Sequence, residues 1–113
     1  MRVTSDLWVS ALMRRVFSAG GFAAIISRGS PEAGAVHIIA RNRLGELALY
    51  APAPQTSYDS AKPDDRFFTQ ARDMSEDEIE ARLGKERRFD PDIWVVEVEI
   101  AGDIADLISL TEA

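Results

Sequence analysis

The sequence predicts an α+β fold, with a mainly antiparallel sheet of about five strands and two or three helices packed mostly on one face. The chain has 113 residues, 46% of them apolar, so residues 1–113 are expected to form one domain with its own core. Short β-prone runs follow one another through tight connections, which favours antiparallel neighbours. Helical patterns flank these runs, and their apolar stripes need a sheet to cover.

The first predicted element is a helix that ends near Ala19. Thr4, Ser5 and Asp6 offer an N-cap, and Gly20 with Gly21 ends the helix. Apolar residues recur at steps of three and four: Trp8, Val9, Leu12, Met13, Val16 and Phe17. This wide stripe is typical of a helix lying on a sheet, so we expect Trp8 and Phe17 to serve the core rather than a ligand.

Residues 22–28 and 35–41 are β-rich and are predicted to form a hairpin. The segment from Gly29 to Gly34 cannot continue either strand, so it forms the loop. A third strand over residues 46–50 completes a meander.

That third strand alternates in period two, with Leu47 and Leu49 on one face. Pro52 and Pro54 lack amide donors, so we expect them to end the strand. A long polar loop through Pro63 follows.

The second half of the chain predicts a strand over residues 66–72, a helix from Glu76 and a strand over residues 93–100. Ser75 and Glu78 form the spacing of a capping box, which is the clearest local signal in the chain. Alternation in the last strand puts one set of apolar residues on one face: Trp94, Val96, Val98 and Ile100. Asp103 is expected to cap a short final helix.

A sheet covered on one face leaves a second face open. Ile25, Tyr50, Ile93 and Val95 are expected to contribute apolar surface there. We therefore expect a homodimer, or a different protein partner, to bury that face.

The charge is unevenly distributed. The net charge is −6, and residues 1–56 carry six Arg and three acids while residues 57–113 carry seven basic and sixteen acidic residues. Internal pairing between the halves is the first interpretation, and an anion site on the first half is the alternative. Nucleic acid is an improbable partner, because net acidity opposes phosphate; that hypothesis would rest on five arginines: Arg2, Arg14, Arg15, Arg41 and Arg43.

The sequence lacks the usual catalytic constellations. His37 is the single histidine, and in a strand over residues 35–41 it shares a face with Ile39 and Arg41, so we expect it to be half exposed. One histidine and no cysteine exclude two-histidine and thiolate metal motifs, and no phosphate-binding glycine loop occurs. Acids such as Asp90 and Asp92 are expected to form turns and caps rather than a metal site. We therefore predict no cofactor and no metal, and favour a protein that is not an enzyme.

Location follows from similar absences. No apolar run approaches the ~18–20 residues of a membrane span, and charges at Asp6, Arg14 and Arg15 interrupt any signal-peptide core. With no cysteine for a disulfide, the cytoplasm is the expected location and a membrane is not an expected partner.

Several segments resemble an uncharacterised bacterial family, domain-of-unknown-function family 1491, typical of alphaproteobacteria. The two most specific are Leu49 to Gln55, read Leu-Tyr-Ala-Pro-Ala-Pro-Gln, and Phe89 to Glu97, read Phe-Asp-Pro-Asp-Ile-Trp-Val-Val-Glu. Residues 7–15 and the Gly29–Gly34 loop also match. The resemblance implies a small cytoplasmic protein and carries over no activity or site residue.

Two functional hypotheses remain from the sequence. The first is a noncatalytic binding or assembly module that acts as a homodimer or protein partner. The second is an enzyme or a binder of a small anionic ligand, whose site would form if five residues converged: Arg14, Arg15, His37, Tyr50 and Gln55.

Overall fold

A computed structural model describes residues 3–53 and 66–111 of the chain. Within these two ranges, two α-helices and six strands occur in the order α1 (Ser5–Ser18), β1 (Phe22–Ser27), β2 (Val36–Arg41), β3 (Leu47–Pro52), β4 (Phe67–Arg72), α2 (Glu76–Phe89), β5 (Trp94–Glu99) and β6 (Ser109–Leu110). A 3-10 helix over Ile104–Asp106 joins β5 to β6. The α+β class is confirmed, although the sheet has one strand more than expected.

The sheet is mixed, with strand order β1-β5-β2-β3-β4-β6. Pairs β1–β5, β2–β3 and β3–β4 are antiparallel, whereas β2–β5 and β4–β6 are parallel. The predicted hairpin of residues 22–28 and 35–41 is therefore wrong, because β5 lies between β1 and β2. A physical reason is that Ile93–Val96 is buried on both faces, so β5 needs a strand on each side.

The helices lie on opposite faces of the sheet, which corrects the expectation of one covered face. On the α1 face, α1 contributes Val9, Leu12 and Val16 to a cluster with the buried side chains of the sheet, including Trp94 and Val96. On the α2 face, Ile79 and Leu83 of α2 pack against four buried strand residues: Leu47, Leu49, Ile93 and Val95. Both faces of β2 and β5 are apolar, so each needs its own helix.

The predicted open second face is also wrong. Ile93 and Val95 are buried beneath α2, while Tyr50 and Ile25 belong to the cluster on the α1 face. The case for a partner therefore cannot rest on these four residues and must come from another surface.

Local signals placed the helix starts correctly. The Thr4 side chain accepts from the amide of Leu7, and Ser75 and Glu78 form both hydrogen bonds of the capping box. Asp103 caps the 3-10 helix through the amide of Ala105. β3 ends at Pro52, two residues beyond the predicted end, and Pro52 pairs with Phe68. Gln55 and most of the predicted long loop lie outside the described residues.

The loop over residues 29–34 closes one end of the sheet. Its carbonyls accept from the start of α1, through Ser5 N to Glu32 O at 3.0 Å and Asp6 N to Pro31 O at 2.8 Å. It also accepts from the indole of Trp94, whose Nε1 donates to the carbonyl of Ser30 at 2.7 Å. Backbone hydrogen bonds thus tie α1, this loop and β5 together.

Candidate functional site

The residues proposed from sequence do not converge. Arg14 and Arg15 are exposed on α1, His37 is buried on the α2 face, and Tyr50 is buried on the α1 face. Because Ile38 pairs with Tyr50 across β2 and β3, the preceding residue His37 points to the opposite side of the sheet. Gln55 lies outside the described residues.

His37 is 5% exposed, so the expectation of a half-exposed imidazole is wrong. Among the residues that the structure describes, none offers a hydrogen-bond partner to its Nδ1. Burial lowers the pKa of His37 below its usual 6.5; Glu86 and Asp90 act to raise it, and Arg82 acts to lower it. The neutral imidazole is therefore favoured, and it belongs to the packing between the sheet and the end of α2.

Tyr50 is 5% exposed, and its hydroxyl belongs to a short polar row on the sheet. The Gln70 side-chain amide satisfies its neighbours when its oxygen faces Arg72. In that orientation the Gln70 amide nitrogen donates to the Tyr50 hydroxyl at 3.2 Å. In the same orientation Arg72 donates to that amide oxygen from Nε at 3.0 Å and from one terminal nitrogen at 3.2 Å. The pKa of Tyr50 is raised, mainly because the hydroxyl is buried. The charge of Arg72 acts to lower this pKa and the charge of Asp103 acts to raise it, so both charges act on the hydroxyl.

A cleft of about 330 Å³ opens beside this row, and we call it the Tyr50 cleft. Apolar side chains come from the sheet and the 3-10 helix: Ala40, Ala48, Ile100 and Ile104. Charged and polar groups at its rim include Arg72, Asp73 and Asp103. The volume of the cleft, and its lining of both apolar and charged side chains, are typical of a site for a small ligand.

A second groove, of about 460 Å³, runs between α2 and the sheet, and we call it the α2 groove. Its apolar lining includes Ile26, Ile79, Leu83 and Val95. Its rim holds Arg41, whose guanidinium donates to Glu76 at 3.1 Å and lies 3.8 Å from Glu97. These two ion pairs join the first half of the chain to the second, as the charge distribution predicted.

The outer edge of β1 carries large apolar side chains that are exposed. Phe22 and Ile26 are 57% and 54% exposed, and Phe17 at the end of α1 packs edge-on against Phe22 with ring centroids 6.2 Å apart. Phe17 is itself 50% exposed, so the expectation that it serves the core is wrong. Among the described residues, β1 pairs only with β5, so its other edge faces outward. We call this strip, with its exposed backbone, the β1 edge.

The described part of the chain contains neither a cluster of metal ligands nor a membrane-spanning helix. Within residues 3–53 and 66–111, no three His, Asp or Glu side chains come close enough to hold a metal ion. Asp90 instead accepts from the amide of Asp92 at 3.0 Å, which is a turn. No helix in these ranges is long and apolar enough to cross a membrane.

Comparison with known proteins identifies the family. The model of a family described as "Protein of unknown function (DUF1491)" matches residues 3–107. The chain belongs to the DUF1491 family. The resemblance seen in the sequence is thereby confirmed, and no function comes with the family description. No protein with a curated description matches this chain.

Solved structures of DUF1491 proteins share the fold. A solution structure of a protein from A. tumefaciens is 44% identical, covers 100% of this chain and 98% of its own, and gives a TM-score of 0.84. A crystal structure of a DUF1491 protein from Caulobacter crescentus is 34% identical over 97% and 99% of the two chains, with a TM-score of 0.78. An NMR structure of a DUF1491 protein from the same organism is 36% identical over 89% and 88%, with a TM-score of 0.72.

The sequence did not reveal that Arg72 and Asp103 line the Tyr50 cleft of this DUF1491 chain. It also did not reveal that β1 lies at the edge of the sheet. Arg72 lies at the end of β4 and Asp103 lies beyond β5, so no short motif contains both. The signal available for the β1 edge was the run Phe22–Ser27, six residues without a charge or a proline. Such a run in a strand predicts a partner, although it does not say which one.

Proposed function

We propose that this DUF1491 protein is a noncatalytic assembly module that forms a homodimer through the β1 edge, in the bacterial cytoplasm. The observation that supports this is an uncharged edge strand carrying two large apolar side chains, each more than half exposed. Natural sheets commonly protect an edge with charge, proline or a covering segment. Along Phe22–Ser27 neither charge nor proline is present, and the described residues supply no covering strand. The one irregularity is a shift of register between Ile25 and Ser27, at the end of the strand.

A β-strand is the partner that this edge fits best. The backbone groups on the outer side of β1 offer alternating N–H donors and C=O acceptors, which a second strand can pair in register. At the opposite end of the sheet, β6 has only two residues and presents a much shorter edge. The difference in length favours β1 as the point of assembly.

A second copy of β1 complements the strand. In an antiparallel pair centred on Ala24, Ala23 of one copy lies opposite Ile25 of the other. Phe22 then lies beside Ile26, where β1 shifts register, and both contacts occur twice. Aromatic and β-branched residues form favourable cross-strand pairs of roughly 0.2–1 kcal/mol each. The same register places the two Ala24 residues opposite each other on the twofold axis, as a closed dimer requires.

The α2 groove extends this surface. Ile26 lines the groove, so a paired strand would continue the apolar surface from β1 toward α2. A six-residue strand pair is small beside the ~1,200–2,000 Å² that standard interfaces bury, so we expect a weak dimer that dissociates on dilution. Each copy carries a net charge of −6, so salt should strengthen the dimer by screening repulsion.

Sedimentation equilibrium over a concentration series tests the proposal. The wild type should dimerise reversibly, and Ile26→Lys should weaken the dimer by about tenfold or more, because two charges would enter the apolar strand pair. Leu44→Lys is the matched control, because Leu44 is 84% exposed in the turn between β2 and β3 and should leave the dimer unchanged.

Two outcomes would contradict the proposal. One is a wild type that stays monomeric throughout the series, which would leave the β1 edge to a strand from a different protein. The other is an Ile26→Lys variant that dimerises as strongly as Leu44→Lys, which would place the interface elsewhere.

A further inference from the structure

We propose that the Tyr50 cleft binds a small aliphatic zwitterion, of the class of an aliphatic α-amino acid. The cleft lies on the α1 face, and its lining shares no residue with β1, so this site is independent of the proposed dimer. Three features of the described residues carry the inference: a gap in the packing of the sheet, an apolar floor, and two opposite charges on either side of it.

The gap comes from small side chains in one row of the sheet. Ala40 pairs with Ala48 across β2 and β3, and Ala48 pairs in turn with Arg72 on β4. The next row holds the much larger Ile38 and Tyr50. Because α1 packs on β1 and β5, it does not fill the space above the alanines, and the cleft remains open there.

The floor and one wall of this space are apolar. Ala40 and Ala48 form the floor, and Ile100 and Ile104 contribute hydrocarbon from the side of β5 and the 3-10 helix. A short aliphatic group would bind here favourably, because its apolar surface would be removed from water. Larger aromatic groups are less suitable, since the cleft volume is about 330 Å³ and much of that space must hold the polar end of the ligand.

Opposite charges flank the same space without pairing. Arg72 and Asp103 both line the cleft, and both act on the Tyr50 hydroxyl in opposite senses. Among the described residues, neither of them forms an ion pair. A carboxylate and a guanidinium that face one space from separate elements can receive the ammonium and the carboxylate of one dipolar ligand.

Each charged group keeps capacity for a ligand. Arg72 uses Nε and one terminal nitrogen on the Gln70 amide, so its other terminal nitrogen remains to donate to a ligand carboxylate. Asp103 uses Oδ1 to accept from the amide of Ala105, so Oδ2 remains to accept from an ammonium. Asp73 adds a second carboxylate at the rim.

The remaining charges at the cleft are engaged elsewhere. Glu46 accepts from the Asn42 amide at 2.8 Å, and Arg41 pairs with Glu76 and Glu97 on the α2 face. The lining thus presents one available cation and two available carboxylates. This balance favours a ligand with both an ammonium and a carboxylate over a simple anion.

The test is an NMR titration of the ¹⁵N-labelled protein with L-leucine. Saturable shifts are expected at the amides of Ala48, Tyr50 and Ile104. Two probes of similar shape remove one charge each: 4-methylpentanoate lacks the ammonium and 3-methylbutylamine lacks the carboxylate. Each should bind about tenfold more weakly than leucine, since each loses a charged hydrogen bond.

Variants locate the site. Arg72→Gln should weaken leucine binding by about tenfold, while Arg43→Gln, in the exposed turn after β2, should leave it unchanged. Well-dispersed spectra of both variants show that they are folded. The proposal is overturned if leucine gives no saturable shifts, if both one-charge probes bind as well as leucine, or if Arg72→Gln binds leucine like the wild type.

Discussion

Replacing Gly34 by alanine should destabilise the protein strongly, because the loop over residues 29–34 presses on the start of β5. An added Cβ would collide with the carbonyl oxygen of Asp92 and lie 2.9 Å from both the Ser30 oxygen and Cδ1 of Trp94. Two of these three atoms are backbone and the third is in a fully buried ring, so none can rotate away. The loop must therefore move away from β5.

The size of the effect follows from what that movement disturbs. Forcing extra atoms into a packed region costs about 1–3 kcal/mol. The movement also stretches the hydrogen bonds from Trp94 Nε1 to Ser30 at 2.7 Å and from Ser5 Oγ to Gly34 at 2.6 Å, worth about 1 kcal/mol each. We expect a loss of about 3 kcal/mol in the free energy of unfolding, which lowers Tm by roughly 12 °C.

Urea unfolding followed by tryptophan fluorescence measures this loss. Gly84→Ala is the matched control, because Gly84 lies within α2 and an added Cβ meets nothing within 4 Å. Alanine should stabilise the helix there by about 0.5–1 kcal/mol. If the free energy of unfolding of Gly34→Ala lies within about 0.5 kcal/mol of the wild-type value, the loop does not pack on β5 as described. An exposed hairpin loop would give that result.

Two further predictions concern the α2 face. Because burial lowers the pKa of His37, the unfolded chain binds a proton at a higher pH than the folded one, so stability should fall as the pH drops below 6.5. Urea unfolding over that range should show a smaller pH dependence for His37→Gln than for the wild type, and equal slopes would contradict the role of His37. Ser75→Ala removes the capping box and should lower the free energy of unfolding by about 1 kcal/mol in the same assay. An unchanged midpoint of urea unfolding would contradict this role of Ser75.

Elements defined by neighbouring residues were predictable from the sequence. Ser75 and Glu78 are three residues apart, so the capping box could be found without knowing the fold. Leu47 and Leu49 alternate with their neighbours, and they do share the α2 face. The predicted β4 and β5 strands also match the structure closely.

Relations between distant segments were not predictable in the same way. The short loop after β1 favoured a hairpin, but pairing with β5 prevails because residues 93–96 are buried on both faces. His37 appeared half exposed because the sequence does not show that α2 returns to cover its side of the sheet. The Tyr50 cleft depends on Ala48, Arg72 and Asp103, which come from three separate parts of the chain.

The most direct test of assembly through the β1 edge is a cross-link at Ala24. The chain has no cysteine, so Ala24→Cys introduces a single thiol. In the proposed register the two Ala24 Cα atoms lie about 4.5–5.5 Å apart, within the range that a disulfide spans. Ala105→Cys, exposed on the 3-10 helix, is the matched control.

Mild oxidation at a concentration that supports the dimer, followed by a nonreducing gel, gives the readout. Pairing through β1 should give a rapid covalent dimer for Ala24→Cys and little dimer for Ala105→Cys. In urea the two variants should cross-link at the same slow rate. Ala24→Cys that cross-links no faster than Ala105→Cys under native conditions would contradict pairing through β1.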